Sequence, residues 1–251
     1  EDTFTPSEFD LTPYIQETGN RLCVEIYKRS SAAWIEDQDF FRFSGIFRSV
    51  YLYAKPKVHV RDIWLKAELL SGNTTGQLTP VIKLDGETEG AKVHLRLTDR
   101  EGYALYDDFT DGSAITLEGI HPWSHEKPIL YHAVLTLQDA GGAVQEVVPY
   151  DIGFRRFEML NGVMCLNGKR IVFKGVNRHE WNPKKGRAID ADDMHAAMAV
   201  FKKNNINAVR TCHYPNQSLW YDLCDQNGIY MIDETNLESH GSWQKLGAVE
   251  P

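Results

Sequence analysis

The chain changes rhythm at Phe154, and that change limits its folds more than any other feature. From Val58 to Phe154 short strand candidates recur, "VHVRDIWLKAEL", "VIKL", "KVHLRLT", "YALYDDF", "YHAVLTLQD" and "VQEVVPY", punctuated by Gly, Asp and Pro. Strands spaced by about 8 to 12 residues with turn residues between them predict a β-sandwich of about seven strands. The text before Val58 is also β-like: "RLCVEIYKRS" and "SVYLYAK" alternate β-branched and aromatic residues and read as strands. Two strands alone do not make a stable sheet, so this stretch reads as the tail of a β domain.

After Phe154 strands and helices alternate. "RIVFKGV" reads as a strand and "DADDMHAAMAVFKKNN" as a helix, with Asp190 as N-cap and Met194, Ala197, Met198 and Phe201 on one apolar face. "NAVRTCH" is a second strand, "NQSLWYDLCDQ" a second helix closed by Gly228, and "IYMID" a third strand. Three strands linked by two helices imply parallel pairing with right-handed crossovers. An open doubly wound sheet and the start of an eight-fold barrel both satisfy that pattern. The expected division is residues 1–57, 58–154 and 155–251.

Composition removes several function classes. With 27 basic against 35 acidic residues the net charge is -8, and no basic run is longer than a pair such as Lys184-Lys185. Neither nucleic acid nor a membrane surface is an expected partner. Cys23, Cys165, Cys212 and Cys224 show no C-x-x-C spacing, against a disulfide framework or a cysteine zinc site, and imply a reducing compartment. No apolar stretch reaches the roughly 20 residues that span a bilayer. The expected location is the cytoplasm, although the chain starts at Glu1 and a leader before it stays open. No G-x-G-x-x-G or G-x-x-x-x-G-K is present to cradle a nucleotide phosphate.

Polar residues cluster where the three strands end: "NRHEWNP", "RTCHYPN" and "DETNLESHG". In a parallel barrel the loops after the strands converge on one mouth, which would gather Asn177, His179, Glu180, Arg210, His213, Asp233, Glu234, Glu238 and His240 on one rim. Taken singly, a histidine here is more often structural, Arg210 more often a partner for a carboxylate, and an E-x-H pair more often no metal site. Recurrence after three strands favours a pocket. No G-x-S-x-G elbow occurs, and Ser239 and Ser242 lack triad partners. Cys212 and His213 are adjacent, and neighbours on a strand point to opposite faces, which argues against a cysteine–histidine pair. Carboxylates, imidazoles and an arginine around a concave mouth suit glycoside chemistry.

"NAVRTCHYPNQSLWYDLCDQNGIYMIDE", "FKGVNRHEWNP" and "EDQDFFRFSGIFRSVYL" together carry a resemblance, with further similarity in "SEFDLTPYI", "GNRL" and "PILYHAVLTL". The chain resembles the family 2 glycoside hydrolases, most closely their bacterial β-galactosidases. The resemblance implies a multidomain β plus α/β fold: the last part of a jelly-roll sugar-binding domain, an immunoglobulin-like β-sandwich, and the first three β/α units of a (β/α)₈ TIM barrel. It implies retaining hydrolysis of terminal β-D-galactosides such as lactose. Within it, His179 and His213 would contact galactosyl hydroxyls or the transition state, and Arg210 would orient the nucleophile carboxylate. Asp39 would reach the sugar and a sodium ion, while Glu238 and His240 would hold a magnesium ion. Chemistry alone would favour a softer metal for a set with imidazole, so magnesium rests on the resemblance.

The same pattern places the acid/base and nucleophile glutamates beyond Pro251, so residues 1–251 alone are expected to be inactive, with the remainder of the enzyme as partner and a homo-oligomer as the complete assembly. Glu180, Asp233 and Glu234 do not occupy the family's catalytic positions. A third strand without a neighbour should associate, swap or lose order near its end. Asp39, His179, His213, Glu238 and His240 are expected to face one cavity. β-Glucuronidase, β-mannosidase and a non-catalytic carbohydrate-binding or scaffold module are the competing readings.

Overall fold

The structure, a computed structural model, describes residues 2–240. It divides into two compact units: residues 2–50, 174–223 and 230–240 form one, and residues 51–173 with 224–229 form the other.

The larger unit is a sandwich. Seven antiparallel strands, β1 (Val58–Leu69), β2 (Thr75–Gly86), β3 (Lys92–Thr98), β4 (Ala104–Thr110), β5 (Ile115–Glu118), β6 (Tyr131–Gln138) and β7 (Val144–Ile152), build two sheets of order β1-β2-β5 and β4-β3-β6-β7. Alternate residues of β3 and β6 are buried, Leu95, Leu97, Leu135 and Leu137 completely, as expected of strands with one face on a core. Leu65, Leu69, Leu78 and Leu117 from the other sheet join the same cluster. The expected seven strands are present, but β2 begins well before "VIKL" and β5 had no sequence counterpart. Pro80 sits within β2 opposite Leu65, beyond the stretch Thr75–Leu78 that pairs with β5, so its missing N–H leaves no ladder bond unmade on that side.

A small meander follows: β8 (Phe157–Leu160), β9 (Val163–Leu166) and β10 (Lys169–Arg170). Its turns are Asn161-Gly162 and Asn167-Gly168, each with positive φ at both residues, the conformation that Asn-Gly pairs favour in two-residue hairpins. Asn167 ties it to the sandwich: its side-chain oxygen accepts from the Arg156 N–H at 2.9 Å and its amide donates to the Trp123 carbonyl at 3.0 Å.

The other unit carries a parallel sheet of β11 (Gly175–Arg178), β12 (Ala208–Thr211) and β13 (Tyr230–Ile232), in that order. Helices α1 (Ala191–Lys203) and α2 (Ser218–Asn227) lie between the strands in sequence. Asp190 caps α1 as expected and forms a reciprocal box with Asp193, while Met194, Met198 and Phe201 are its buried face. Gly228 follows α2 with φ +71°. "RIVFKGV" is not one strand: β10 stops at Arg170 and β11 starts at Gly175. The Asn207 side chain accepts from the Lys174 N–H at 2.7 Å, taking the place of a ladder carbonyl just where the parallel pairing begins. Gly175 permits the approach, since a Cβ there would lie 3.2 Å from that of Ala208.

The N-terminal segment departs most from expectation. "RLCVEIYKRS" and "SVYLYAK" are not strands. A strand exists only through its ladder, and among the described residues no sheet includes either segment; Leu22, Val24, Tyr51 and Tyr53 are exposed. Residues 2–50 carry a single turn of 3₁₀ helix at Ser31–Trp34 and a short parallel bridge between Glu36 and Glu238.

Candidate active site

Three strand ends and the N-terminal segment supply the site. Parallel register aligns Asn177 with Arg210 and Arg210 with Ile232, so the residues just beyond these positions share one edge of the sheet. Thr211, fully buried, donates its hydroxyl to Asp233 at 3.0 Å and accepts the Glu234 N–H at 3.0 Å. The Tyr221 hydroxyl donates to the same Asp233 oxygen at 2.8 Å. Burial, followed by that carboxylate, pushes the Tyr221 phenol well above its ordinary range, so it remains a donor at any working pH.

Held in this way, Glu234 faces Arg210 and His213. One carboxylate oxygen pairs with the Arg210 Nε–H and the other lies 3.1 Å from His213 Nδ1. Arg210 also reaches His213 Nδ1 at 3.1 Å. Arg210, His213, Asp233, Glu234 and Glu238 line a hollow of about 400 Å³, of the size that takes a small polar ligand. His179 stands beside it, its ring 5.4 Å from that of His213 at a steep angle. Desolvation, then the neighbouring His213, Arg187 and Arg210, hold the His179 imidazole below its ordinary pKa, so it is neutral near pH 7.

The N-terminal segment is brought in by backbone pairing: the Glu238 N–H donates to the Ile35 carbonyl at 2.9 Å, and its own carbonyl accepts from the Asp37 N–H at 2.6 Å. Asp39 thereby comes next to Glu238 and His240, and the three side chains place one donor atom each within 4.8 Å of one another. Farther along, Arg48 donates to Glu180 at 2.8 Å and to the Pro215 carbonyl at 2.7 Å.

The expected rim residues thus fall into groups. Arg210, His213, Asp233, Glu234 and Glu238 share the hollow, His179 adjoins it through His213, and Asp39 and His240 join it through Glu238. Asn177 is only 3.5 Å from Arg210, a weak contact. Glu180 is buried away from the hollow, accepting from Arg48 and from the Gln217 N–H. Cys212 departs from expectation: β12 ends at Thr211, alternation stops there, and the Cys212 sulfur lies within 4.8 Å of donor atoms of both His179 and His213. Arg48 and Arg187 were missed. Arg187 is buried, donates to the Phe41 carbonyl at 2.5 Å and covers the Phe40 ring at 3.9 Å. Arg48 lay within the resembling segment "EDQDFFRFSGIFRSVYL", but sequence spacing could not show that it crosses to Glu180.

Profiles of one family match almost the whole chain. Residues 1–56 match "Glycosyl hydrolases family 2, sugar binding domain", residues 58–155 "Glycosyl hydrolases family 2", and residues 157–251 "Glycosyl hydrolases family 2, TIM barrel domain". The chain belongs to glycosyl hydrolase family 2. Among curated relatives, the Beta-galactosidase of Clostridium acetobutylicum is 54% identical over 257 residues, covering 100% of this chain and 28% of that protein. The Beta-galactosidase large subunit of Lactobacillus acidophilus is 51% identical over 258 residues, covering 100% of this chain and 41% of the relative. Among solved structures, Parabacteroides merdae β-glucuronidase superposes with a TM-score of 0.72 at 25% identity, over 80% of this chain and 27% of that one. The chain therefore spans between about a quarter and two fifths of the length of these curated relatives. Among the described residues no helix is long and apolar enough to cross a membrane.

Proposed function

We propose that residues 1–251 act as part of a retaining β-galactosidase that cleaves terminal β-D-galactosides such as lactose. The observation that carries this reading is identity of about half over the full chain to relatives named Beta-galactosidase, against 25% to the β-glucuronidase structure. β-Glucuronidase is the second reading, favoured only by that structural likeness.

In the proposed reaction the neutral His179, together with His213, holds sugar hydroxyls by hydrogen bonds that tighten as charge develops at the anomeric carbon. Arg210 orients the nucleophile carboxylate, and Asp39 binds the sugar. The retaining reaction needs two carboxyl groups about 5 Å apart; neither is assigned to a residue of this chain, and both belong to the remainder of the enzyme. Asp39, Glu238 and His240 fit a small hard cation through two carboxylates, with Asp39 exposed and Glu238 and His240 half-buried. Glu238 and His240 would hold magnesium and Asp39 sodium, supplying fixed positive charge beside the sugar. The residue chemistry is shared with borderline metals, so the choice of magnesium follows from the family. We assign residues 1–57 to a jelly roll and 58–154 to an immunoglobulin-like sandwich; the sheet orders β1-β2-β5 and β4-β3-β6-β7 support the latter. Residues 155–251 begin the (β/α)₈ barrel, and the whole enzyme is a cytoplasmic homo-oligomer.

The test is a chimera in which this chain replaces the matching segment of the Clostridium acetobutylicum relative, assayed on nitrophenyl β-galactoside and nitrophenyl β-glucuronide. Turnover of the galactoside alone is expected. Turnover of the glucuronide alone would overturn the reading.

A further inference from the structure

A second group of metal-ligating side chains lies beside the hollow and is not used by the proposed reaction as a group. His179, Cys212 and His213 each offer a donor atom, and the three atoms lie within 4.8 Å of one another. Two imidazoles and a thiol form a borderline-to-soft donor set, unlike the carboxylate-rich trio of Asp39, Glu238 and His240. From these residues we propose a site for a thiophilic divalent cation of the zinc class, bound by His179, Cys212 and His213 with a fourth position open to water.

Geometry and surroundings support it. Tetrahedral bonds of about 2.0 to 2.3 Å put donor atoms roughly 3.3 to 3.8 Å apart, so donors that lie within 4.8 Å of one another need to close by at most about 1.5 Å. His213 is oriented from behind: Nδ1 lies 3.1 Å from both the Glu234 carboxylate and the Arg210 guanidinium, and in the tautomer that donates Nδ1–H to Glu234 the Nε2 lone pair is available to a metal. A carboxylate behind a histidine is the usual outer partner of a bound zinc-class ion. The charges facing His213 include the Arg210 guanidinium, paired with Glu234, and the Glu238 carboxylate, 3.8 Å from Nδ1. Near His179 the Arg187 and Arg210 guanidiniums oppose added positive charge, so the Glu234 and Glu238 carboxylates and the Cys212 thiolate formed on binding supply the compensating negative charge. On binding, the Cys212 S–H bond breaks, a sulfur–metal bond forms and one proton leaves to solvent; no electron is transferred. Magnesium does not compete, since it shuns thiolate. The site shares two imidazoles with the proposed sugar contacts, but its existence does not depend on that function.

The experiment uses cobalt(II) as the probe, added to the full chain, with folding checked by circular dichroism. A near-ultraviolet sulfur-to-cobalt charge-transfer band saturating at one equivalent, unaffected by excess magnesium and bleached by zinc, is expected. Cys212→Ser is nearly isosteric and should abolish the band, whereas the double variant Glu238→Gln/His240→Gln should keep it. Glu234→Gln should weaken cobalt binding about ten- to a hundredfold, as loss of an outer carboxylate does. Absence of the band in the folded chain, or its persistence in folded Cys212→Ser, would overturn the proposal.

Discussion

Phe4 lies face to face on Tyr214, ring centroids 3.8 Å apart and planes 9° from parallel, so the fourth residue of the chain caps the loop that follows β12. Both side chains are almost fully buried. Phe40 meets each of them edge-on, and Arg187 covers the Phe40 ring. Because His213 immediately precedes Tyr214, the N-terminal segment helps to fix the site from behind. Phe4→Ala should therefore destabilise this unit by about 3 to 5 kcal/mol, the usual cost of emptying an aromatic-sized hole. Denaturant unfolding measures it; a loss under 1 kcal/mol would show that the stack is incidental.

Glu234 is the hub of the hollow. Replacing it with Gln keeps its size but gives the Arg210 Nε–H and His213 a neutral partner in place of a charged one. A charge-assisted bond is worth about 1.5 to 3 kcal/mol, so kcat/KM of the chimeric galactosidase should drop about ten- to a hundredfold. Arg210→Lys should not restore what Arg210→Ala loses, since a point charge cannot reproduce the guanidinium fork that serves Glu234 and His213 together.

In the sandwich, Gly76 faces the fully buried Phe154. A Cβ at residue 76 would stand 2.7 Å from Phe154 Cδ1, closer than real contacts allow, and a tight 3.0 Å from Ile120 Cγ1. Gly76→Ala should cost about 1 to 3 kcal/mol by overpacking, and calorimetry on the chain reads the loss. An unchanged melting temperature would mean that Phe154 can swing aside.

The N-terminus of α1 has its own acid sensitivity. Contacts with Lys185, the Asp190 N–H and Asn182 hold the Asp193 carboxyl at about 2, against an ordinary 3.8. The unfolded chain therefore binds this proton first. The stabilisation is complete above about pH 4 and is lost as the pH falls toward about 2. Asp193→Asn should lower the midpoint of thermal unfolding at pH 7 but not at pH 2; equal losses at both would locate the effect elsewhere.

What the residues revealed in advance follows from how local each signal is. The α1 cap and apolar face, and six of the seven sandwich strands, are written in periods of 3.6 and 2 that a reader of the chain can count. The meander is equally local, its two turns written in Asn161-Gly162 and Asn167-Gly168, but its strands of two to four residues are too short to show a countable period. The N-terminal strands failed for another reason: "RLCVEIYKRS" has the right alternation, but a ladder depends on residues far away in sequence. The site divides likewise. Arg210, His213 and Glu238 stand in motifs at strand ends, whereas the Arg48–Glu180 pair spans 132 residues and left no trace in spacing.

His179 gives the sharpest pH test of the site. Its imidazole is partly desolvated and stands near His213, Arg187 and Arg210, all of which disfavour an added proton. The folded pKa thus lies below 6.5, while the unfolded chain keeps the ordinary value. Between the two, the unfolded state binds more protons, so stability contributed by neutral His179 is fully present above about pH 6.5 and drains away as the pH falls through the folded pKa. The His179 ring signal in a proton NMR titration, assigned by its loss in His179→Gln, should move with a midpoint below 6.5, and the same variant should flatten the acid limb of stability in that window. A midpoint at or above 6.5 would mean that the ring is solvated and free of the cations beside it, and the neutral hydrogen-bonding role proposed for it at the sugar would go with that result.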